Sequence, residues 1–148
     1  MTDATILVVE DDPADAGLIQ ATLKRAGIDN PVHVVADADL AMAYLDGTGE
    51  YSDRSRHPLP AVIFIDLKLP GKSGHDILAW MGQQEALRGI VRIVVTGSDN
   101  PADLKRAYEL GTNAYMRKPL TVEQLTGPGK NLRAFLARQP SSVQPAPQ

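Results

Sequence analysis

Four short apolar segments of this chain are each followed by residues that could do chemistry. The segments are residues 6–9, 61–65, 93–95 and 114–117. Glu10 and Asp11 follow the first, Asp66 the second, Thr96 the third and Lys118 the fourth. A carboxylate is costly inside a buried strand, but at the carboxyl end of the strand it can point into the crevice where open α/β sheets bind ligands. We therefore expect acids, a hydroxyl and an ammonium group to meet at one site.

These residue types suit a divalent cation and a phosphoryl group. Glu10, Asp11 and Asp66 would offer the hard oxygen ligands that Mg²⁺ prefers, and the cation would offset the repulsion among the three carboxylates. Phosphoryl transfer depends mainly on positioning and electrostatics, and an aspartate such as Asp66 can act as its nucleophile, giving an aspartyl phosphate. Thr96 would hydrogen-bond one phosphoryl oxygen. Lys118 would pair with another oxygen or, before phosphorylation, with Asp66 itself.

Short apolar strands alternate with helical patterns, which predicts an α/β fold: a doubly wound, five-stranded parallel sheet with helices on both faces. The predicted strands are residues 5–9, 32–36, 61–65, 91–95 and 114–117. Helices are predicted at residues 13–27, 37–47, from about 74, at 100–111 and from 121. Asp12-Pro13 is a typical helix start. The first helix is expected to turn Ala14, Leu18 and Thr22 inward.

Three stretches interrupt this alternation. Residues 46–60 are polar and mixed, which predicts a long loop of the kind that is often functional or mobile. The Gly-Pro-Gly sequence at residues 127–129 should interrupt the last helix. Residues 139–148 are rich in Pro, Gln and Ser, which predicts a disordered tail. We therefore expect one domain over residues 1–138 and no second one.

Composition excludes several classes of protein. A chain of 148 residues with 43% hydrophobic and 22% charged residues is typical of one ordinary globular domain. The net charge of −3 gives no indication of nucleic-acid binding, and the absence of cysteine excludes disulfides and thiol chemistry. No apolar run approaches the roughly 20 residues of a membrane helix, and nothing resembles a signal peptide. A cytoplasmic protein is expected.

Four ordered segments resemble the signature segments of receiver domains, which are the response regulators of two-component signalling. They read Val8-Val9-Glu10-Asp11-Asp12, Phe64-Ile65-Asp66-Leu67-Lys68-Leu69-Pro70-Gly71, Val95-Thr96-Gly97-Ser98 and Ala114-Tyr115-Met116-Arg117-Lys118-Pro119. The resemblance covers residues 4–126 and implies a flavodoxin-like fold with strand order 2-1-3-4-5. It further implies that Asp66 accepts a phosphoryl group from a sensor histidine kinase or a phosphotransfer protein.

The same resemblance implies a metal site. Asp11 and Asp66 would bind Mg²⁺ directly, and the backbone carbonyl of Lys68 would be a third protein ligand. Glu10 would act through a bound water.

The resemblance also implies a switch. Thr96 and Lys118 would contact the phosphoryl group, and the Lys118-Pro119 peptide bond would be cis. Tyr115 would turn inward when Thr96 moves toward the phosphate. The signal would then leave through the surface at the fourth helix and fifth strand.

A narrower resemblance involves the long loop. Gly49-Glu50-Tyr51, the basic stretch that ends at Pro58, and Ala61-Val62-Ile63 are similar to the extended connection of phytochrome-associated single-domain response regulators. Ala107-Tyr108-Glu109-Leu110-Gly111 also fits that group. This resemblance implies a bacteriophytochrome histidine kinase as the phosphodonor, and it implies a homodimer.

Three functions remain open at this point. The first is a signalling switch without an output domain, which phosphorylates and slowly dephosphorylates itself and binds an unknown downstream protein. The second is an Mg²⁺-dependent phosphohydrolase that uses an aspartyl phosphate on external substrates. Phosphatases of the haloacid dehalogenase type carry a second aspartate two positions after the nucleophile, where this chain has Lys68. The third is a receiver that binds partners without phosphorylation.

The remaining histidines and loop arginines give weaker signals. His33, His57 and His75 have no metal-ligand spacing, so we interpret them as surface or strand residues. Arg54 and Arg56 are interpreted as solvated charges that could dock a partner.

Overall fold

Five strands form one parallel sheet in the computed structural model, which describes residues 4–127 and 131–139. The strands are β1 (Ile6–Val9), β2 (Val32–Val35), β3 (Val62–Ile65), β4 (Val91–Thr96) and β5 (Ala114–Arg117). Their order in the sheet is β2-β1-β3-β4-β5. This order is the predicted one, and each strand bound lies within one residue of its prediction. The three inner strands are nearly continuous apolar runs because helices cover both of their faces.

Helices alternate with the strands along the chain. They are α1 (Pro13–Arg25), α2 (Ala38–Asp46), α3 (Gly74–Gly82), α4 (Pro101–Glu109), α5 (Val122–Thr126) and α6 (Leu132–Ala137), with short 3-10 turns at Gly49–Tyr51 and Glu85–Leu87. The Asp12 side chain caps α1 by accepting the Ala14 N–H at 2.8 Å. Thr121 and Gln124 form the predicted capping box at the start of α5. Among the described residues, no helix has the length and apolar character needed to span a membrane.

The sheet separates two apolar layers. Side chains alternate along β1, so Leu7 and Val9 belong to one layer while Ile6 and Val8 belong to the other. The first layer is completed by residues of α2, α3 and α4, and the second by residues of α1, α5 and α6. Helices therefore cover both faces, as the alternating pattern predicted.

The predicted inward face of α1 was mostly wrong. Thr22 is buried as predicted, but Ala14 is exposed and Leu18 is 55% exposed. The residues that face the sheet are Ala16, Ile19, Thr22 and Leu23. The helix in fact turns its Ala16-Ile19-Leu23 stripe to the core, because this stripe offers more apolar area than the one through Leu18.

The end of the chain forms two short helices where one interrupted helix was predicted. α5 ends at Thr126, and α6 starts at Leu132 with the Asn131 side chain as its cap. Residues 128–130 lie outside the described residues, as does the predicted disordered tail apart from Gln139.

The long loop between α2 and β3 is held by a partly buried network of hydrogen bonds and is not exposed to solvent throughout. Arg54 donates hydrogen bonds to the carbonyl oxygens of Tyr44 at 2.7 Å, Leu45 at 2.8 Å and His57 at 3.1 Å. The Tyr44 hydroxyl donates to the carbonyl of Pro58 at 2.9 Å. The last carbonyls of a helix have no partner within the helix, and Arg54 supplies one for α2. The interpretation of Arg54 as a solvated charge was therefore wrong.

Candidate functional site

The carboxyl ends of four strands meet at one edge of the sheet. Glu10 and Asp11 follow β1, Asp66 follows β3, Thr96 ends β4, and Lys118 follows β5. Parallel pairing of β1 with β3, of β3 with β4 and of β4 with β5 brings these ends to the same side. The structure thus brings together the side chains that the strand-end pattern selected.

Glu10, Asp11 and Asp66 form an acidic pocket. One carboxylate oxygen from each of the three lies within 4.8 Å of the other two. Glu10 is 3% exposed and Asp66 is 6% exposed, whereas Asp11 is open to solvent. Buried carboxylates at this spacing need positive charge nearby, because water cannot solvate them fully.

Lys118 supplies part of that charge. Its Nζ lies 2.8 Å from Glu10 Oε1, 2.8 Å from Asp15 Oδ2 and 3.0 Å from Asp66 Oδ2. Burial lowers the pKa of Lys118, but the contacts with Asp15, Glu10 and Asp66 outweigh burial and raise this pKa above its ordinary value. The lysine is therefore an ammonium that holds three carboxylates together.

Asp15 is the member of this group that sequence reasoning missed. It lies in the first turn of α1, on a helix rather than at a strand end, so a search for polar residues at strand ends does not find it. The sequence feature that could have indicated Asp15 is its position two residues after Pro13. The proline fixes the first helical position, and a carboxylate two residues later lies in the turn that begins beside the pocket.

Glu10 is fixed by two contacts. Its Oε1 pairs with Lys118, and its Oε2 accepts the backbone N–H of Asp12 at 3.2 Å. Burial raises the pKa of the Glu10 carboxyl above its ordinary value, while the contact with Lys118 opposes this rise. Burial therefore sets the direction of the pKa shift of Glu10, and the positive charge beside it limits the rise.

The segment after β3 positions Asp66. Asp66 Oδ1 accepts the backbone N–H of Lys68 at 3.2 Å, and the Leu67 carbonyl accepts the N–H of Gly74 at 3.0 Å. A Cβ atom at Gly74 would overlap the backbone carbonyl oxygen of Asp66, so only glycine lets α3 start this close to the strand end. Gly74 is a second positioning residue that sequence reasoning did not single out.

Thr96 and Tyr115 are connected through Ser98. Thr96 is fully buried, and its Oγ1 accepts the N–H of Ser98 at 3.3 Å. The Ser98 Oγ donates to Asp103 Oδ2 at 2.6 Å, and the Tyr115 hydroxyl lies 3.5 Å from the Ser98 carbonyl oxygen. Tyr115 is half-buried against the apolar layer under α2, α3 and α4. A movement of Thr96 would therefore disturb the loop that the tyrosine hydroxyl contacts.

The Lys118-Pro119 peptide bond is cis, as the resemblance implied. Among the described residues, Glu10, Asp11 and Asp66 are the one group of three or more potential ligands close enough to hold a metal ion. The histidines do not join such a group. His33 and His57 instead pack with Tyr44 and Tyr51, with ring centroids 5.1–5.8 Å apart.

The donor chemistry of the pocket fits Mg²⁺. Every side-chain donor is a hard carboxylate oxygen, and no nitrogen or sulfur ligand lies in this described group. Three carboxylates contact the Lys118 ammonium, and the Asp11 carboxylate lies beside two of them, so the site keeps an excess of negative charge that a divalent cation would neutralise.

A family model described as the response regulator receiver domain matches residues 6–127. The response regulator Rcp1 of Synechocystis sp. is 37% identical over 130 residues, which are 88% of this chain and 86% of that protein. The solved structure of the Mn²⁺-bound form of Rcp1 has a TM-score of 0.74 to this chain at 35% identity, and it covers 97% of this chain and 99% of its own.

Two further solved structures are similar over most of their length. The phosphorylated cyanobacterial phytochrome response regulator RcpA has a TM-score of 0.76 at 34% identity, covering 95% of this chain and 98% of its own. The bacteriophytochrome response regulator AtBRR has a TM-score of 0.75 at 38% identity, covering 84% of this chain and 89% of its own. With the strand order and the pocket, these matches identify this chain as a member of the response regulator receiver domain family.

Proposed function

We propose that this chain is a phosphorylation-dependent signalling switch, in which Asp66 accepts a phosphoryl group from a sensor histidine kinase. The observation that carries the proposal is the contact of Lys118 with Asp66, inside a pocket of carboxylates at the edge of the sheet where such folds bind ligands. Asp11 and Asp66 would bind Mg²⁺ together with the Lys68 carbonyl, and Glu10 would bind it through a water. When bound, Mg²⁺ supplies positive charge that offsets the charge of the phosphoryl oxygens.

In the transfer step, a carboxylate oxygen of Asp66 attacks the phosphorus of a phosphohistidine. A P–O bond forms while the P–N bond breaks, and the electron pair of that bond leaves with the imidazole nitrogen. Lys118 then donates to a phosphoryl oxygen instead of the Asp66 oxygen that it holds before transfer. Thr96 donates its hydroxyl hydrogen to a second phosphoryl oxygen.

The phosphoryl group carries a charge of about −1.5 to −2 where the Asp66 carboxylate carried a single negative charge, and the site transmits this change through Thr96. As the threonine moves toward the phosphoryl group, the Ser98 loop moves with it because Thr96 Oγ1 accepts the Ser98 N–H. Tyr115, whose hydroxyl lies beside the Ser98 carbonyl, then turns inward. The readout is a change in the surface of α4 and β5, to which a downstream protein binds.

The names of the relatives suggest the kinase. Both RcpA and AtBRR are phytochrome response regulators, and each covers more than four-fifths of this chain. We therefore infer that the phosphodonor is a bacteriophytochrome histidine kinase. A homodimer of this chain remains a prediction from the same resemblance.

The first experiment asks whether Asp66 is the acceptor. The protein is incubated with Mg²⁺ and acetyl phosphate, and intact mass is measured beside Asp66→Asn and beside Asp29→Asn, which removes an exposed carboxylate away from the pocket. We expect one slowly decaying phosphate adduct on the wild type and on Asp29→Asn, and none on Asp66→Asn. No adduct on the wild type, or an adduct on Asp66→Asn, would exclude the proposal.

A second assay, which measures released phosphate, tests the phosphohydrolase alternative. An enzyme would release many equivalents of phosphate from an external phosphoester such as para-nitrophenyl phosphate, whereas the switch would release none beyond its own adduct. Lys68 stands two residues after Asp66, where such an enzyme needs a general acid, and its side chain is exposed. The kinase assignment is tested separately, by transfer from an autophosphorylated bacteriophytochrome kinase in red and far-red light.

A further inference from the structure

We propose that Asp15 is a positioning residue that competes with the phosphoryl group for Lys118, and that it thereby slows phosphorylation of Asp66. This inference rests on the proposed function. It concerns a carboxylate on α1 that belongs neither to the metal pocket nor to the strand-end pattern.

The first step of the inference is how Lys118 is held before phosphorylation. Its ammonium donates hydrogen bonds to Asp15 Oδ2 at 2.8 Å and to Asp66 Oδ2 at 3.0 Å, and its contact with Glu10 Oε1 at 2.8 Å is an ion pair without hydrogen-bond geometry. The hydrogen bond to Asp66 is exchanged for one to the phosphoryl oxygen. The hydrogen bond to Asp15 is the one that holds the ammonium back on the α1 side as it turns toward the phosphoryl group.

The second step is to ask which contact opposes that movement. The contact with Asp66 does not oppose the movement, because the phosphoryl group would be bonded to that carboxylate and would lie in the same direction from Lys118. Glu10 is 3% exposed and its other oxygen is held by the Asp12 N–H, so it stays beside the site throughout. Asp15 is different because it approaches Lys118 from α1, outside the pocket, and its side chain is 35% exposed.

The third step concerns what happens to Asp15 when Lys118 leaves it. A groove of about 260 Å³ lies along Asp15, Lys118 and Leu18, where α1 faces the segment after β5. Water in this groove can solvate the released carboxylate, so Asp15 can give up Lys118 at modest cost. Asp15 thus acts as a reversible competitor and also places a negative charge near the approaching phosphoryl donor.

The experiment compares Asp15→Asn, which keeps the shape and removes the charge, with Asp15→Glu, which keeps the charge. Asp12→Asn is the matched control. Asn caps helices as well as Asp does, and Asp12 lies on the same end of α1 without contacting Lys118 in the described structure. Adduct formation from acetyl phosphate is followed at several donor concentrations, and urea unfolding confirms that each variant folds.

We expect the rate of adduct formation to rise about three- to tenfold in Asp15→Asn, to return toward the wild-type value in Asp15→Glu, and to change less than about twofold in Asp12→Asn. The affinity for beryllofluoride, a phosphoryl mimic, should rise in Asp15→Asn by a similar factor. This equilibrium readout would not respond to a residue that only stabilises the helix.

Three results would overturn the inference: a rate in Asp15→Asn at or below that of the wild type, an equal acceleration in Asp12→Asn, or the same acceleration in Asp15→Glu. The first would mean that Asp15 does not hold Lys118 back, and the others would mean that net charge or disruption of α1 causes the effect. If the wild type itself forms no adduct, the proposed function fails instead, so the two failures are distinguishable.

Discussion

The partly buried cations Arg54 and Lys118 are each held by several oxygen atoms, and these partners differ in kind. Arg54 donates to three backbone carbonyl oxygens at the end of α2 and in the loop that follows. Lys118 forms ion pairs with three carboxylates at the carboxyl edge of the sheet, and it donates hydrogen bonds to two of them, Asp15 and Asp66. Carbonyls are neutral and fixed by the fold, whereas carboxylates can bind a metal ion or take up a phosphoryl group.

This difference separates a structural network from an exchangeable one. The loss of Arg54 would remove three hydrogen bonds to carbonyl groups at the end of α2 and in the loop that follows. The carboxylate partners of Lys118 can pair with another cation instead, and one of them, Asp66, becomes an aspartyl phosphate during transfer. We therefore expect the Arg54 network to control stability and the Lys118 network to control phosphorylation.

The largest expected effect is on the Lys118 side of the comparison. Lys118→Met keeps an unbranched side chain that is one atom shorter and removes its charge, so it should slow adduct formation on Asp66 by about 100-fold, as removal of one charge-stabilising donor does in other sites. The rate is measured by intact mass with Mg²⁺ and acetyl phosphate. Lys24→Met, which removes an exposed lysine of α1, should react at the wild-type rate. A Lys118→Met protein as fast as the wild type would contradict the exchangeable network.

The next effect is expected at Arg54. Arg54→Met should lower the free energy of unfolding by about 2–3 kcal/mol, because hydrogen bonds from a charged donor contribute about 1.5–3 kcal/mol each but are not additive. Urea unfolding measures this change, and adduct formation per folded molecule should stay near that of the wild type. Arg56→Met is the neighbouring control because Arg56 is exposed, and its effect should stay within about 0.5 kcal/mol. Equal losses in both variants would indicate that the loop contacts of Arg54 contribute little.

The comparison also explains what could be predicted from the sequence. The partners of Lys118 at strand ends could be predicted, because parallel strands bring all their carboxyl ends to one edge and polar residues there stand out against apolar runs. The strand bounds were predicted to within one residue because polar residues border each apolar run. Asp15 could not be found in this way, since its contact depends on how α1 packs across the sheet.

The role of Arg54 was hidden for a different reason. Its acceptors are backbone carbonyls, which every residue carries, so no pattern of side chains marks them. The prediction of which face of α1 is buried was wrong for a related reason. Leu18 and Ile19 are adjacent apolar residues, and only the packing of the helix decides which one faces the sheet. In the structure Ile19 is buried, and Leu18 lines the groove beside Lys118.

A smaller effect is expected from the metal. A ligand that binds only the folded state stabilises it by about 1.4 kcal/mol when its concentration is ten times its Kd. Mg²⁺ should therefore raise the free energy of unfolding of the wild type by about that amount relative to protein in chelator. Asp11→Asn should lose most of this increase, and Asp29→Asn, away from the pocket, should keep it. A Mg²⁺ effect that survives in Asp11→Asn would place the cation elsewhere.

The smallest effect is expected in the ring cluster beside the Arg54 network, and it depends on pH. His33 packs against the rings of Tyr44 and His57, at centroid distances of 5.5 and 5.8 Å. Burial, and then the nearby His57, lower the pKa of His33 below its ordinary value. The unfolded chain therefore binds a proton more readily than the folded protein does. The stability linked to His33 is complete above the unfolded pKa of about 6.5 and is lost as the pH falls below it.

The measurement for His33 is urea unfolding at several values between pH 7.5 and 5.5, where most carboxylates stay ionised. His33→Gln should show a weaker decline of stability toward acid than the wild type, because glutamine cannot take up the proton. His75→Gln, on α3 and outside the ring cluster, should decline as the wild type does. If His33→Gln and the wild type decline equally, protonation of His33 is not what makes this region sensitive to acid. Arg54 would then be the one tested residue of this region that controls stability, in contrast to Lys118, which controls phosphorylation.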